Sequence, residues 1–128
     1  MSRCFPEPAD LMAMYRLHRG IDARDVATAH LVSLSSKSDF SVYLVSGKHP
    51  FEKEDCEELK VDAAAVIRRR APALSAAFNA RGWELPRSID RVYDSSKARS
   101  ELAWQSQYGF DEVLAQHDRM SREVLPVD

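Results

Sequence analysis

Phe40-Ser41-Val42-Tyr43-Leu44-Val45, closed by Ser46-Gly47, is the stretch on which the fold class turns. Phe40, Val42 and Leu44 alternate with Ser41, Tyr43 and Val45 in a hexamer rich in β-branched and aromatic residues, the period of two that a strand requires. The glycine that follows supplies the turn. The rest of the chain runs mostly at the 3.6-residue period of helices, so a strand here predicts a mixed α and β protein.

Upstream, Ala23, Val26, Ala27, His30, Leu31 and Leu34 fall on one helix face, and Asp22 and Asp25 put negative charge where the helix dipole favours it. A helix is predicted near 22–36, with Ser35-Ser36-Lys37-Ser38-Asp39 as a loop. Residues 1–20, with Pro6 and Pro8 close together and Leu11, Met12, Met14, Tyr15 and Leu17 mixed among polar residues, lack a helix start signal and read as an arm or a short turn of helix. Downstream of Pro50 a second helix is expected, with Asp55 and Glu58 as a capping pair, an apolar line through Cys56, Leu59, Ala63, Val66 and Ile67, and arginines 68 to 70 at its C-terminal end. Pro72 stops it. Ala73 to Arg81 reads as a short third helix, with Gly82 placed to adopt the left-handed conformation after it. Ile89, Val92 and Tyr93 predict a second strand at 88–93, and Asp94 or Ser95 caps a helix carrying Ala98 and Leu102. The last helix presents Phe110, Val113, Leu114, His117 and Met120 on one face.

The expectation is an α+β fold of four to five helices with a small two-stranded sheet. Such a sheet is marginal alone. If the 22–36 helix and the Phe40–Val45 strand are built to pack on another domain, the isolated chain exposes an apolar patch, which points to a homo-oligomer or a missing partner.

At 128 residues, with 45% hydrophobic content, the chain has enough material for one core and is read as a single domain. Eighteen basic against 20 acidic residues give a net charge of −2, which sets up no global field for nucleic acid or an anionic membrane. Cys4 and Cys56 show no metal-finger or Cys-x-x-Cys spacing and read as reduced thiols. No apolar run of signal-peptide or membrane-span length occurs, so a cytoplasmic protein is expected.

Four pieces of sequence, taken in order, carry a resemblance. They are Arg19-Gly20-Ile21-Asp22-Ala23-Arg24-Asp25-Val26-Ala27-Thr28-Ala29-His30 with its Asp-Val-Ala core; Tyr43-Leu44-Val45-Ser46-Gly47; Pro50-Phe51 with Glu54-Asp55; and Ile89 to Trp104 followed by Tyr108-Gly109-Phe110-Asp111-Glu112-Val113-Leu114. The series resembles the C-terminal, substrate-binding part of extended short-chain dehydrogenase/reductases, the NAD(P)-dependent epimerase/dehydratase family, over roughly Tyr15 to Leu114. Where the family usually reads Leu-Gly-Trp-x-Pro, this chain has Leu102-Ala103-Trp104-Gln105-Ser106, which implies a reshaped turn. No Gly-x-x-Gly-x-x-Gly loop precedes the tail, so no cofactor site is expected in this chain alone. NAD or NADP is implied for the complete family enzyme, held by a Rossmann half.

The resemblance implies a lobe that wraps a nucleotide-sugar. Arg91 matches the place where family members often carry an arginine facing the substrate diphosphate, a task suited to the planar guanidinium fork. Arg87 is a weaker candidate for the same work, and the plain alternative for Arg91 is a solvated residue or an ion pair with Asp90 or Asp94. Tyr93 and Lys97 have the Tyr-x-x-x-Lys spacing of short-chain reductases, but the family places its catalytic pair in the half absent here. His18, His30, His49 and His117 share no ligand-like spacing, and His30 and His117 read as core or interface residues. Arginines 68 to 70 read as a solvated helix end, and Trp83 and Trp104 as core anchors. Two functions follow as expectations: an epimerase/dehydratase-like substrate-binding lobe, catalytically incomplete without a Rossmann-domain partner, or a non-enzymatic dimerisation or protein-interaction module that retains the fold.

Overall fold

The structure, a computed structural model, describes residues 8–36 and 40–119. Its α-helices are α1 (Pro8–His18), α2 (Ala23–Ser33), α3 (Cys56–Val61), α4 (Ala63–Arg70), α5 (Pro72–Ala80), α6 (Ser96–Leu102) and α7 (Phe110–Asp118), with a 3₁₀ turn at Lys53–Asp55 leading into α3. Among the described residues there is no strand and no sheet, which overturns the α+β expectation. The physical reason lies in the hydrogen bonds of the two expected strands. Segment 88–93 spends its backbone on helix ends: Ile89 N–H donates to Leu59 O at 2.8 Å and Tyr93 N–H to His18 O at 2.8 Å, while nearby Arg87 O accepts from the first amide of α4, Ala63, at 3.0 Å. These bonds satisfy groups that helices leave unpaired at their termini. No backbone bond joining this segment to Phe40–Val45 is present among the described residues.

The predicted N-terminal arm is instead a core helix. Ala9, Ala13, Met14 and Leu17 are buried along one side of α1, which packs against α7. Proline at the first helical position costs no hydrogen bond, so Pro8 starts this helix rather than preventing it. The second predicted helix is broken in two at Asp62, whose backbone leaves the helical region (φ −149°, ψ 69°) while its side chain accepts from Ala65 N–H at 3.2 Å to cap α4. The capping carboxylate ahead of α3 also differs from expectation: Asp55 reaches back to Glu52 N–H at 2.8 Å, so Glu58 takes no part in that cap. Ala71 ends α4, Pro72 begins α5 at its first turn, and Gly82 adopts the expected left-handed conformation (φ 70°) as the chain turns to Trp83.

The main core joins α1, α3, α4, α5 and α7. Leu17, Leu59, Val66, Ile67, Leu74, Phe78 and Val113 are all at most 2% exposed, and Phe78 meets Trp83 edge to face at 5.3 Å. Burying each such aliphatic or aromatic side chain contributes about 1.5–3 kcal/mol. A second, smaller cluster consists of Ala29, Ala98 and Trp104, with Val32, Tyr43, Val45 and Leu102 packed around it. It belongs to a flank formed by α2, the stretch after Phe40 and α6.

Cys56 is exposed with a free thiol. Cys4, Met120 and residues 37–39 of the expected loop lie outside the described residues, and α2 ends at Ser33 rather than Ser36. No helix among the described residues is long and apolar enough to cross a membrane.

Candidate functional site

Arg87 and Arg91 project from the pinned segment between α5 and α6. Arg91 is fixed through its backbone: its carbonyl meets His18 Nδ1 at 2.9 Å, so the C-terminal end of α1 holds the residue while its guanidinium stays in solvent. The fork makes one loose ion pair, Nε to Asp90 Oδ2 at 3.6 Å, with both side chains more than half exposed. A contact of that kind contributes about 0–1 kcal/mol and yields readily to a better anion. Arg87 is exposed and makes no ion pair among the described residues, and no direct contact joins it to Arg91. Burial lowers the pKa of His18, and the neighbouring Arg19 acts in the same direction, against the hydrogen bond that the ring donates to the Arg91 carbonyl. A neutral imidazole at pH 7 therefore sits against the Arg91 backbone. The segment offers positive charge and hydrogen-bond donors to an anion.

Lys97 turns away from Tyr93: its Nζ donates to Val42 O at 2.9 Å and lies 4.9 Å from the ring of Tyr43. The spacing of Tyr93 and Lys97 therefore brings no lysine against that phenol.

Sequence reasoning missed a buried polar network that ties the flank together. Asp25 is fully buried and accepts from Gln107 N–H at 2.9 Å and Tyr108 N–H at 3.1 Å. The indole of Trp104 donates to Asp25 O and to Thr28 Oγ1, each at 3.1 Å. Asp22 caps α2 by accepting from Arg24 N–H at 2.9 Å and pairs with both Arg24 and buried Arg16. The Arg24 guanidinium hydrogen bond, reinforced by Arg16, holds the Asp22 carboxyl down to about 2, while the same guanidinium lies 3.7 Å over the Tyr108 ring. A second set of bonds closes the other side: Ser46 Oγ donates to Tyr93 O at 3.2 Å, and Ser95 Oγ to Ser46 O at 3.4 Å. Gly47 permits this closure, because a Cβ there would stand 2.7 Å from Arg16 O.

These bonds bring together residues far apart in sequence. Asp25 from the first resembling piece meets Trp104 and Tyr108 from the last, and Ser46 from the second meets Tyr93 and Ser95. The chain matches no known family model, no curated protein and no solved structure. The signals that could have found the network were Asp25, read as a charge in the first turn of α2 and as part of the Asp-Val-Ala core, and Trp104, whose ring nitrogen needed a buried acceptor.

At the departure from the family's Leu-Gly-Trp-x-Pro pattern, Ala103 adopts φ 52° and ψ 30°. Alanine thus takes the left-handed conformation that a glycine would occupy without strain. Ser95 is the N-cap of α6 without a side-chain cap bond, and Asp94 before it accepts from Ser96 N–H at 2.9 Å.

Arginines 68 to 70 form the exposed last turn of α4, as expected, and Arg69 and Arg70 in addition clamp buried Asp55, at 3.0 and 2.8 Å, the Arg70 bond foremost holding that carboxyl at about 2. His30 is exposed and bonded to Val26 O, against the core expectation, whereas His117 packs on Trp83 at 5.1 Å. Trp83 and Trp104 are buried, as core anchors are. No group of three His, Cys, Asp or Glu among the described residues is placed to hold a metal. An open cleft of about 570 Å³ lies beside α5, lined by Arg68, Ser75, Asn79, Trp83 and Glu84 among others, and it includes neither Arg87 nor Arg91.

Proposed function

We propose that this chain is the substrate-side lobe of an NAD(P)-dependent nucleotide-sugar epimerase/dehydratase-like protein, catalytically incomplete without a Rossmann-domain partner. The supporting observation is the convergence of resembling pieces: stretches around Asp25, Ser46, Tyr93 and Trp104 hydrogen-bond to one another in a single flank. In this reading Arg91 exchanges its loose Asp90 pair for two parallel, charge-assisted bonds to diphosphate oxygens, and Arg87 adds positive charge nearby. The cofactor partner supplies the hydride chemistry and this chain supplies binding and orientation.

Isothermal titration calorimetry with UDP- and GDP-sugars tests the assignment. Binding heat from one of these ligands, lost in Arg91→Ala with the helical circular dichroism unchanged, is the expected result. Absence of heat from either class, or turnover of a nucleotide-sugar by the chain alone with stoichiometric NAD(P), overturns it.

A further inference from the structure

His18 joins the end of α1 to the segment that carries Arg91 at two points. Its ring Nδ1 lies 2.9 Å from Arg91 O, and its own carbonyl accepts from Tyr93 N–H at 2.8 Å. A carbonyl oxygen only accepts, so Nδ1 carries the ring proton and Nε2 keeps its lone pair. A second proton must therefore arrive at Nε2. That atom makes no hydrogen bond among the described residues, and His18 is only 6% exposed. The groups around the ring give an imidazolium little support. Arg19, the next residue, repels it, and Tyr15, which meets the ring edge to face at 5.9 Å, is itself covered by the Arg19 guanidinium at 4.5 Å. Attraction comes from Asp90 on the segment, a carboxylate that is more than half exposed and already paired with Arg91. Burial outweighs that attraction.

We infer that His18 is a proton-operated clasp: the neutral ring fastens residues 91–93 to the end of α1, and proton uptake frees them, so that the Arg91 guanidinium leaves its fixed place. The direction follows from linkage. In the released segment the ring is hydrated and regains its usual 6.5, above the value it has when fastened, so protons favour release. Well above 6.5 both forms are neutral and pH has no effect; below 6.5 the released form gains by up to about tenfold for each unit of pH. The segment stays tethered at Ile89, whose N–H is bonded to Leu59 O. An anion gripped by Arg91 near neutral pH is thus let go in mild acid. That consequence rests on the nucleotide-sugar reading; the clasp does not, because its readout needs no ligand.

Hydrogen exchange of Tyr93 N–H in the ligand-free, full-length chain, followed by nuclear magnetic resonance from about pH 7.5 to about pH 5.5 and corrected for the intrinsic pH dependence of exchange, tests the clasp. Protection of this amide should be level above about pH 7 and fall by up to about tenfold per unit below 6.5. His18→Asn places an amide donor where Nδ1 stood and carries no titrating group, so it should keep Tyr93 N–H equally protected across the range. Protection of Tyr93 N–H that is the same at both ends of the range in wild type, or that falls as steeply in His18→Asn as in wild type, overturns the proposal. The wild-type profile decides the matter if the variant fails to fold.

Discussion

The helical body and the flank are held together by different physics. In the body, α1, α3, α4, α5 and α7 bury a continuous apolar set from Ala9 to Leu114. Stability there derives from area removed from water, so it is non-directional and tolerant of small shifts. In the flank only Ala29, Ala98 and Trp104 are buried apolar residues, and Asp22, Asp25, Ser46, Ser95 and Arg16 complete the interior. Hydrogen bonds dominate there, and each unpaired buried partner is expensive. A body that holds itself leaves a flank free to present Phe40, Val42 and Leu44 outward.

The largest expected effect that separates the regions is in the body. Phe78→Ala empties the center of a site only 1% exposed and removes the edge-to-face partner of Trp83. It should cost about 3–5 kcal/mol in urea unfolding; a loss under about 1 kcal/mol would contradict the packing described. Asp25→Ala in the flank strands the amides of Gln107 and Tyr108. About 2–3 kcal/mol is expected, with Trp104 fluorescence shifting toward that of a wet indole. Unchanged fluorescence and stability would show that the network is dispensable.

Acid should weaken both regions at once. Asp22 in the flank and Asp55 in the body are each lowered from a usual 3.8 to about 2 by their arginine partners. A depressed carboxyl pKa adds stability that is complete above the unfolded value and lost as pH falls through the folded one. The carboxylate share of the fall in thermal midpoint should therefore begin near about pH 4 and grow toward about pH 2, and Asp22→Asn should flatten part of that slope. The smallest effect has the opposite sign. Ala103→Gly relieves left-handed alanine backbone and should stabilise by about 0.5–1 kcal/mol after the gain in unfolded-chain entropy is subtracted. A destabilised variant would show that Ala103 carries no strain.

Much of the body was legible from sequence. The line through Leu59, Ala63, Val66 and Ile67, the stop near Pro72 with a short helix after it, the left-handed Gly82 and the apolar face of α7 all follow from helical period and capping chemistry. The N-terminal helix was missed because two of its four buried apolar positions are Ala9 and Ala13, while Leu11 and Tyr15 stay exposed, so apolar contrast around it is weak. The break at Asp62 was missed because local propensity there is helical on both sides. The strands failed for a different reason. Period two marks which faces of a segment are apolar, but a sheet also needs a neighbor for its main chain, and no neighbor is written in the pattern of Phe40–Val45. At the candidate site, Arg91 was singled out by resemblance, but its anchoring by His18 and the Asp25 network arise only when distant residues meet.

Amide hydrogen exchange tests the central contrast most directly. Amides of Tyr43, Leu44 and Val45 should exchange at nearly unprotected rates, while those of Leu74 to Phe78 should exchange only through global unfolding. Equal protection in the two segments would mean that Phe40–Val45 is already paired within the chain, and the account of a self-sufficient helical body with an outward-facing flank would be wrong.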